Sequence, residues 1–290
     1  MNKNFNDILT LFELPQPEKV TELKKGHSNR TYEVEIENSR YILQSLNGTI
    51  FKFPDRITRN IQVIESTFEK FPDCGIGIPE YLTSGGKTHV EFNGEIWRIY
   101  KYIESSGSCV DKNFQHGFAI GTFLRVVNSS DVEFENCMPE LHDFNIPGLP
   151  KRNIHGDTKA DNVIFGTRPT VIDLDTTMRD HVFVDYGDMI RSLTTKGFDI
   201  EVIGEATAGF AKGLDGMLTA EEVKSLELGA DLIISELMER YYQGYQGMNN
   251  FPNKTPEQCL ERSREHVLQL KEFHDHKKEV ADIIEKSFWQ

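Results

Sequence analysis

Basic side chains are in deficit in this 290-residue chain, where 32 Lys and Arg stand against 46 Asp and Glu, a formal charge of −14 with histidine neutral. A nucleic-acid binder presents a basic face to phosphates, so this balance argues against one and suits a cationic or neutral small ligand. Long apolar runs are missing as well. No stretch approaches the ~18–20 residues that cross a bilayer, so no membrane partner is expected. The opening MNKNFNDILTLFELPQPEK is polar from its second residue and lacks the apolar core of a signal peptide. Cysteine is sparse: Cys74, Cys109, Cys137 and Cys259 are scattered, with no CxxC pair and no metal-ligand spacing. Such thiols are expected to stay reduced, in a cytoplasmic protein, rather than form a disulfide framework. Internal repeats and low-complexity tracts are also absent. What is present is a core: apolar residues make up 38% and aromatics 10%, with 19 Phe, which excludes a disordered chain. The length suggests two units, at ~100–200 residues per domain.

The first hundred residues read as a small sheet with one helix. Residues 20–24 and 31–37 fit strands, the second alternating apolar and charged side chains with period two. Asn38-Ser39 turns the chain into a second run, 40–44, to make a hairpin. Pro54 opens a helix in which Ile57, Ile61, Ile64, Thr67 and Phe68 recur at helical spacing, and Phe71-Pro72 closes it. Residues 79–83, 87–92 and 96–103 are short β-rich runs separated by Ser84-Gly85-Gly86 and Asn93-Gly94, both turn signals. After Glu104 the composition changes, which divides the chain at 1–104 and 105–290. Residues 113–127 read as a buried helix, and 128–150 are polar and proline-punctuated. Short strands follow from Asn153 to Arg191. Residues 201–213, 219–246 and 256–286 carry helical periodicity, with Thr219 and Glu222 spelling a capping box. The fold class is therefore α+β, sheet first and helices second.

The chemistry concentrates in His155-Gly156-Asp157-Thr158-Lys159-Ala160-Asp161-Asn162. Its H-x-D-x-x-x-x-N spacing is that of the catalytic loop of protein kinases and their relatives. An Asp at the start of such a loop accepts the proton of the attacking hydroxyl. An Asn five residues on turns its amide oxygen toward a magnesium ion at the nucleotide phosphates. Val163 to Phe165 and Thr170 to Ile172 then form two strand-like runs around a turn, which brings Asp173 beside Asn162 so that a carboxylate and an amide oxygen share one hard cation. The plain alternative is a surface loop whose aspartate bonds turn amides.

HGDTKADN, followed by VIDLDTT and FVDYGDMIRS, resembles the aminoglycoside phosphotransferase and choline kinase superfamily. Within it, GHSNRTYEV, SRYILQSLNGTIFKFPD, WRIYKYIE and ELMERYYQGYQG look most like N-acetylhexosamine 1-kinases. The likeness runs from about Gly26 to about Ile284. It implies a protein-kinase-like fold of two lobes, a small β-rich N-lobe and a mainly helical C-lobe, with ATP and Mg2+ as cofactors and an amino sugar as acceptor. It further implies Asp157 as catalytic base and Asn162 with Asp173 as metal ligands. Lys159 either stabilises the transition state or pairs with Asp161. Asp185 holds the catalytic loop, and His155 organises it by bonding to backbone. Gly26, His27, Ser28, Asn29 and Arg30 form the turn over the phosphates, and the segment from Tyr100 through Tyr102 to Glu104 is the hinge at the adenine edge. Asp175 reaches a second metal or a substrate hydroxyl, unless it caps the following loop. Arg191, Glu236 and Arg240 are acceptor-binding candidates, with Arg264 behind them, while Trp97 and Trp289 serve core and tail packing.

Two departures stand out. The third-strand position that usually carries a phosphate-gripping lysine is Gln44, so another cation must serve, with Arg30 and Arg59 as candidates and Glu65 weakened as a pairing partner. The stretch around Leu141-His142-Asp143-Phe144 is shortened, which bears on the acceptor. Three rivals remain. Asp173-Leu174-Asp175-Thr176-Thr177 fits the D-x-D-x-T nucleophile motif of haloacid-dehalogenase-type phosphatases, although that motif normally lies on the first strand of a parallel sheet. Gln44 would also suit a nucleotide-binding pseudokinase. Among kinases, aminoglycosides, choline or ethanolamine, and homoserine compete as acceptors.

Overall fold

The computed structural model describes residues 5–289 except 24–28, 108, 139–143, 249 and 252. Gly26, His27, Ser28 and the shortened stretch at Leu141 to Asp143 therefore lie outside the described residues. Side-chain alternation builds the first half. After α1 (Phe5–Leu11), strands β1 (Lys19–Leu23), β2 (Arg30–Ile36) and β3 (Ser39–Leu46) run antiparallel. The β2–β3 turn sits on Glu37 and Asn38, both at positive φ, one residue earlier than expected because Ser39 already pairs with Ile36. Helix α2 (Pro54–Phe68) follows, then the hairpin β4 (Val90–Phe92) and β5 (Glu95–Lys101). The sheet order is β1-β2-β3-β5-β4. The runs at 79–83 and 87–89 are not strands. They hold isolated bridges, Tyr81 to Tyr100 and Ser84 to Lys87, rather than ladders, and Pro79 lacks a donor for the first.

Period two sends Tyr32, Val34, Leu43, Trp97 and Ile99 to one face, where Ile8, Leu9 and Phe12 at α1 close over them. Sequence reading saw only polarity in this opening segment and missed α1. The other face sends Ile42, Leu46 and Tyr100 into a core shared with α2 and the helices beyond. Helix α2 buries Ile57, Ile61, Ile64, Thr67 and Phe68 as predicted, and Asn60 with them.

Past Lys101 the chain reaches α3 (Lys112–Val127), then β6 (Arg152–Ile154), β7 (Val163–Phe165), β8 (Pro169–Val171) and β9 (Met178–Asp180). Helices α4 (Val182–Leu193), α5 (Ile200–Leu214), α6 (Ala220–Ser225), α7 (Gly229–Tyr245), α8 (Pro256–Asp275) and α9 (Lys277–Trp289) complete it. The expected helix 219–246 breaks at a 3-10 turn, Leu226–Leu228, and 256–286 breaks at His276. The Thr219 capping box is formed, and Thr255 with Gln258 forms a second that the sequence reading did not mark. Two seams join the sheet to the helical part: Ser106 N–H donates to Phe165 O at 2.8 Å, and Gly77 pairs with Pro169 and Val171 at 2.8 and 2.9 Å. Trp97 is buried as expected, whereas Trp289 is 59% exposed and packs no tail. All four cysteines are free. No helix among the described residues is long and apolar enough to cross a membrane.

Candidate active site

The loop 155–162 leaves β6, which pairs with β9, and enters β7, which pairs with β8. Its sharp start requires Gly156, at φ 81, where a Cβ would stand 2.5 Å from Thr176 O. Asp185 on α4 accepts the N–H groups of His155 and Gly156, each at 2.8 Å. Burial pushes its carboxyl up to about 6, with His155 and the two N–H groups acting the other way. His155 donates from Nε2 to Ile172 O at 2.9 Å while its Nδ1 accepts Asp157 N–H at 3.3 Å. Buried His116 donates to Thr158 O at 3.1 Å. The geometry thus places Asp185 and His155 where a loop-holding pair should stand.

Four polar side chains converge on this frame. Lys159 Nζ pairs with Asp157 Oδ2 and stands 3.9 Å from Asp173 Oδ2. Asn162 Nδ2 donates to Asp157 O at 2.7 Å and to Asp157 Oδ2 at 3.0 Å. Ile172 N–H donates to Asn162 O at 2.9 Å, so the hairpin holds Asp173 one residue beyond Asn162's rung. Lys159 therefore joins Asp157 to Asp173 and does not pair with Asp161. Burial alone would raise the Asp157 carboxyl, but Lys159 outweighs it and holds the group below its usual range. Asp173 goes the opposite way, pushed up to about 6 by burial and then by Asp175, with Lys159 opposing.

The second part of the site is one the sequence reading missed. Asp173 is left-handed, at φ 65, and a 3-10 turn, Leu174–Thr176, follows it. The strand does not continue, so Asp175 swings inward and is 1% exposed. Arg98 on β5 grips it through both terminal nitrogens, NH2 to Oδ2 at 3.0 Å. Asn29 Nδ2 donates to the same Oδ2 at 3.0 Å. Asp175 is thus neither substrate ligand nor loop cap. Gln44 lies opposite Arg98 in the β3–β5 register and accepts its Nε and NH2 at 2.9 and 2.6 Å. The cation beside Gln44 is Arg98. Arg30 pairs with Glu95 and bonds Ser45, and Arg59 pairs with Glu135, both on exposed flanks. Gln44 and Asn29 are occupied internally, the latter also accepting Asn47 N–H at 3.1 Å. Tyr100 is buried against Tyr81, with ring centroids 5.4 Å apart. Tyr102 lies under the Arg40 guanidinium and gives its N–H to Arg40 O. Buried Asn60 clips α2 to this region, donating to Thr177 O at 3.1 Å and Glu135 O at 2.8 Å. Asn60 sits one residue from Ile61 on the helix's apolar face, a signal that was readable. A lone arginine inside the apolar run EIWRIYK was another.

On the far side of the loop, Arg191 on α4 pairs with Asp188, which leaves Asp188 Oδ2 buried without a partner among the described residues. Arg191 acts electrostatically on both Asp157 and His266 of α8, so it lies between the loop and that helix. Gln269 Nε2 donates to Arg191 O at 2.8 Å. Glu236 and Arg240 pair on α7 at 3.7 Å, as their spacing predicts, and Arg240 also covers Phe251 at 5.5 Å.

Magnesium is tested against this donor set. Among the described residues no three His, Cys, Asp or Glu side chains converge as a metal cluster. Asp173 nevertheless accepts no hydrogen bond among them and has its cations, Lys159 and Arg98, only at 3.9 Å. An under-neutralised carboxylate beside an amide oxygen fits a hard ion that draws its other oxygens from phosphates and water.

A family model described as the APH phosphotransferase enzyme family matches residues 120–220, the stretch that holds Asp157, Asn162, Asp173 and Asp185. The fold is shared with solved structures at low identity. A microcompartment-associated aminopropanol kinase is 13% identical with TM-score 0.68, covering 94% of this chain and 97% of that one. A spectinomycin phosphotransferase in complex with ADP and spectinomycin is 14% identical with TM-score 0.58, covering 98% of each. A choline kinase from Cryptosporidium parvum Iowa II is 11% identical with TM-score 0.54, covering 93% and 92%. The chain accordingly has the protein-kinase-like α+β fold.

Proposed function

We propose that this protein is an ATP- and magnesium-dependent kinase that moves the γ-phosphoryl group to a hydroxyl of a small molecule, the anomeric hydroxyl of an N-acetylhexosamine. The observation that supports it most is the joining of Asp157, Lys159, Asn162 and Asp173 on one hydrogen-bonded loop and hairpin. Asp157, held ionised by Lys159, orients the acceptor hydroxyl and takes its proton as the oxygen attacks. Lys159 spends its charge on the phosphate as negative charge develops there. Asn162 and Asp173 would hold magnesium, which neutralises the phosphates when bound. His155 and Asp185 keep the loop's backbone fixed, so Asp157 needs no reorganisation at the moment of transfer. In this reading residues 1–104 cover the nucleotide under the turn at Gly26 to Ser28, and residues 105–290 supply the loop and the acceptor.

A neutral sugar requires groups that both donate and accept. Arg191, Gln269 and the Glu236–Arg240 pair offer such a mixture, whereas a quaternary amine would call for carboxylates without a cation nearby. An ATP-consumption screen against N-acetylhexosamines, other sugars, aminoglycosides, choline, ethanolamine and homoserine tests the reading. Magnesium-dependent turnover with an N-acetylhexosamine is expected. Turnover only with an amine would overturn the acceptor and keep the transfer. Nucleotide binding without turnover on any acceptor would mark a pseudokinase, and phosphatase activity without ATP would overturn both.

A further inference from the structure

Resting on that kinase reading, we infer that Arg98 is the residue that assembles the nucleotide site, acting through Asp175 as a positioning residue in place of a third-strand lysine. Arg98 is 1% exposed and reaches no ligand itself. Its guanidinium is the meeting point of three separate pieces of chain. On β3, Gln44 accepts two of its N–H groups. On the turn after Asp173, Asp175 accepts from both terminal nitrogens. Through Asp175, Asn29, the residue before β2, is drawn into the same cluster, and Asn29 in turn receives Asn47 N–H. Arg98 also stands 3.9 Å from Asp173 Oδ1, so the metal-side carboxylate feels its charge without being bonded by it.

The chemistry explains Gln44. A lysine there would put a second cation within hydrogen-bond distance of Arg98. A glutamine accepts from Arg98 through Oε1 and donates from Nε2 to Thr31 at 3.3 Å. Arg98's planar fork fits a carboxylate through two parallel bonds, which fixes orientation as a lysine's single point charge does not. Tyr81 flanks it at 5.5 Å, and Arg98 and Asp175 are each 1% exposed, so the pair's geometry is costly to change. Arg98 thereby ties Asn29, which directly precedes β2, to the turn that presents Asp173.

Removing Arg98 alone strands the buried Asp175, so the informative variant removes both. The experiment compares wild type with Arg98→Met/Asp175→Leu, Arg98→Lys and Asn29→Ala, reading Tm, the affinity for magnesium-ADP by calorimetry, and kcat and KM for ATP. Apolar replacement of a buried ion pair generally preserves folding. The double variant is expected to keep a near-native Tm yet lose about 10²-fold in kcat/KM for ATP. Arg98→Lys should recover part of that loss, and Asn29→Ala should raise KM for ATP more than it lowers kcat. A folded double variant with wild-type nucleotide affinity and kcat overturns the inference and leaves the kinase reading intact. If the double variant does not fold, an Arg98→Lys and an Asn29→Ala protein that both match wild type in KM and kcat overturn it equally. A wild-type chain that binds no magnesium nucleotide overturns the kinase reading and this inference together.

Discussion

Asp157 and Asp173 are the same side chain in opposite electrostatic conditions. Lys159 bonds the first and holds it ionised, while the second is raised to about 6 by burial and by Asp175. That separation lets one carboxylate handle a proton and leaves the other in want of positive charge. Asp157→Asn keeps the shape and removes the proton acceptor, so kcat should fall by ~10²–10⁴, with magnesium-ADP affinity unchanged by calorimetry. Unchanged turnover would remove Asp157 from the mechanism. Gly156→Ala should be nearly as damaging, because its Cβ would meet Thr176 O at 2.5 Å on a positive-φ backbone. A displacement of the loop by about 1 Å corresponds to roughly a 10²-fold loss of kcat, measurable with purified, folded protein. Gly156 and Asp157 were legible because they lie within one short loop whose spacing is dictated by the chemistry, and Asp173 because a tight hairpin returns it beside that loop. Arg98 stood out as a lone arginine, but its role did not, because its partner stands 77 positions along the chain and no local spacing connects them.

At the scale of elements, the contact between α3 and α5 is set by backbone rather than by side chains. A Cβ on Gly121 would lie 2.3 Å from Phe210 O, and one on Gly213 would lie 2.4 Å from Phe118 O. Gly117 and Gly209 repeat the approach one turn away, so two small-residue ridges interlock along both helices. Gly121→Ala is expected to force the helices apart at about 1–3 kcal/mol. That corresponds to a Tm lower by several degrees, at roughly 2–4 °C per kcal/mol for a chain of this size. Circular dichroism would check it, and an unchanged Tm would show that the pair slides without cost. The helix α3 itself was legible from its phenylalanines, but its glycines read as weak helix positions until a partner was known. The long helical readings at 219–246 and 256–286 failed for a related reason. Periodicity continues across a 3-10 turn or a one-residue break such as His276, whereas the helix axis does not.

Across the whole molecule, the order sheet then helices was plain in the sequence, because period-two runs and helical periodicity occupy different halves. How the halves meet was not, since Gly77 and Ser106 are ordinary in composition and gain meaning only from their partners. Stability should reflect this buried polar framework. Burial pushes His116 down to about 4, with its bond to Thr158 O opposing, so the folded protein keeps it neutral. The unfolded chain takes up its proton near 6.5, so stability is complete above that pH and declines as pH falls toward 4. The loss should be roughly 2 kcal/mol at pH 5. Comparing Tm between pH 7.5 and 5.0 for wild type and His116→Gln isolates the effect. The variant should lose less on acidification, and equal losses would assign acid sensitivity to other groups.

The amide of Asn60 donates to Glu135 O and to both oxygens of Thr177 and accepts Glu135 N–H. Swinging α2 outward would break these bonds at about 1 kcal/mol each, besides exposing the Ile57, Ile61, Ile64 and Phe68 side chains that face the core. A conformation reached by rotating that helix outward therefore forfeits several kcal/mol, so α2 and the turn after Asp173 move as one piece.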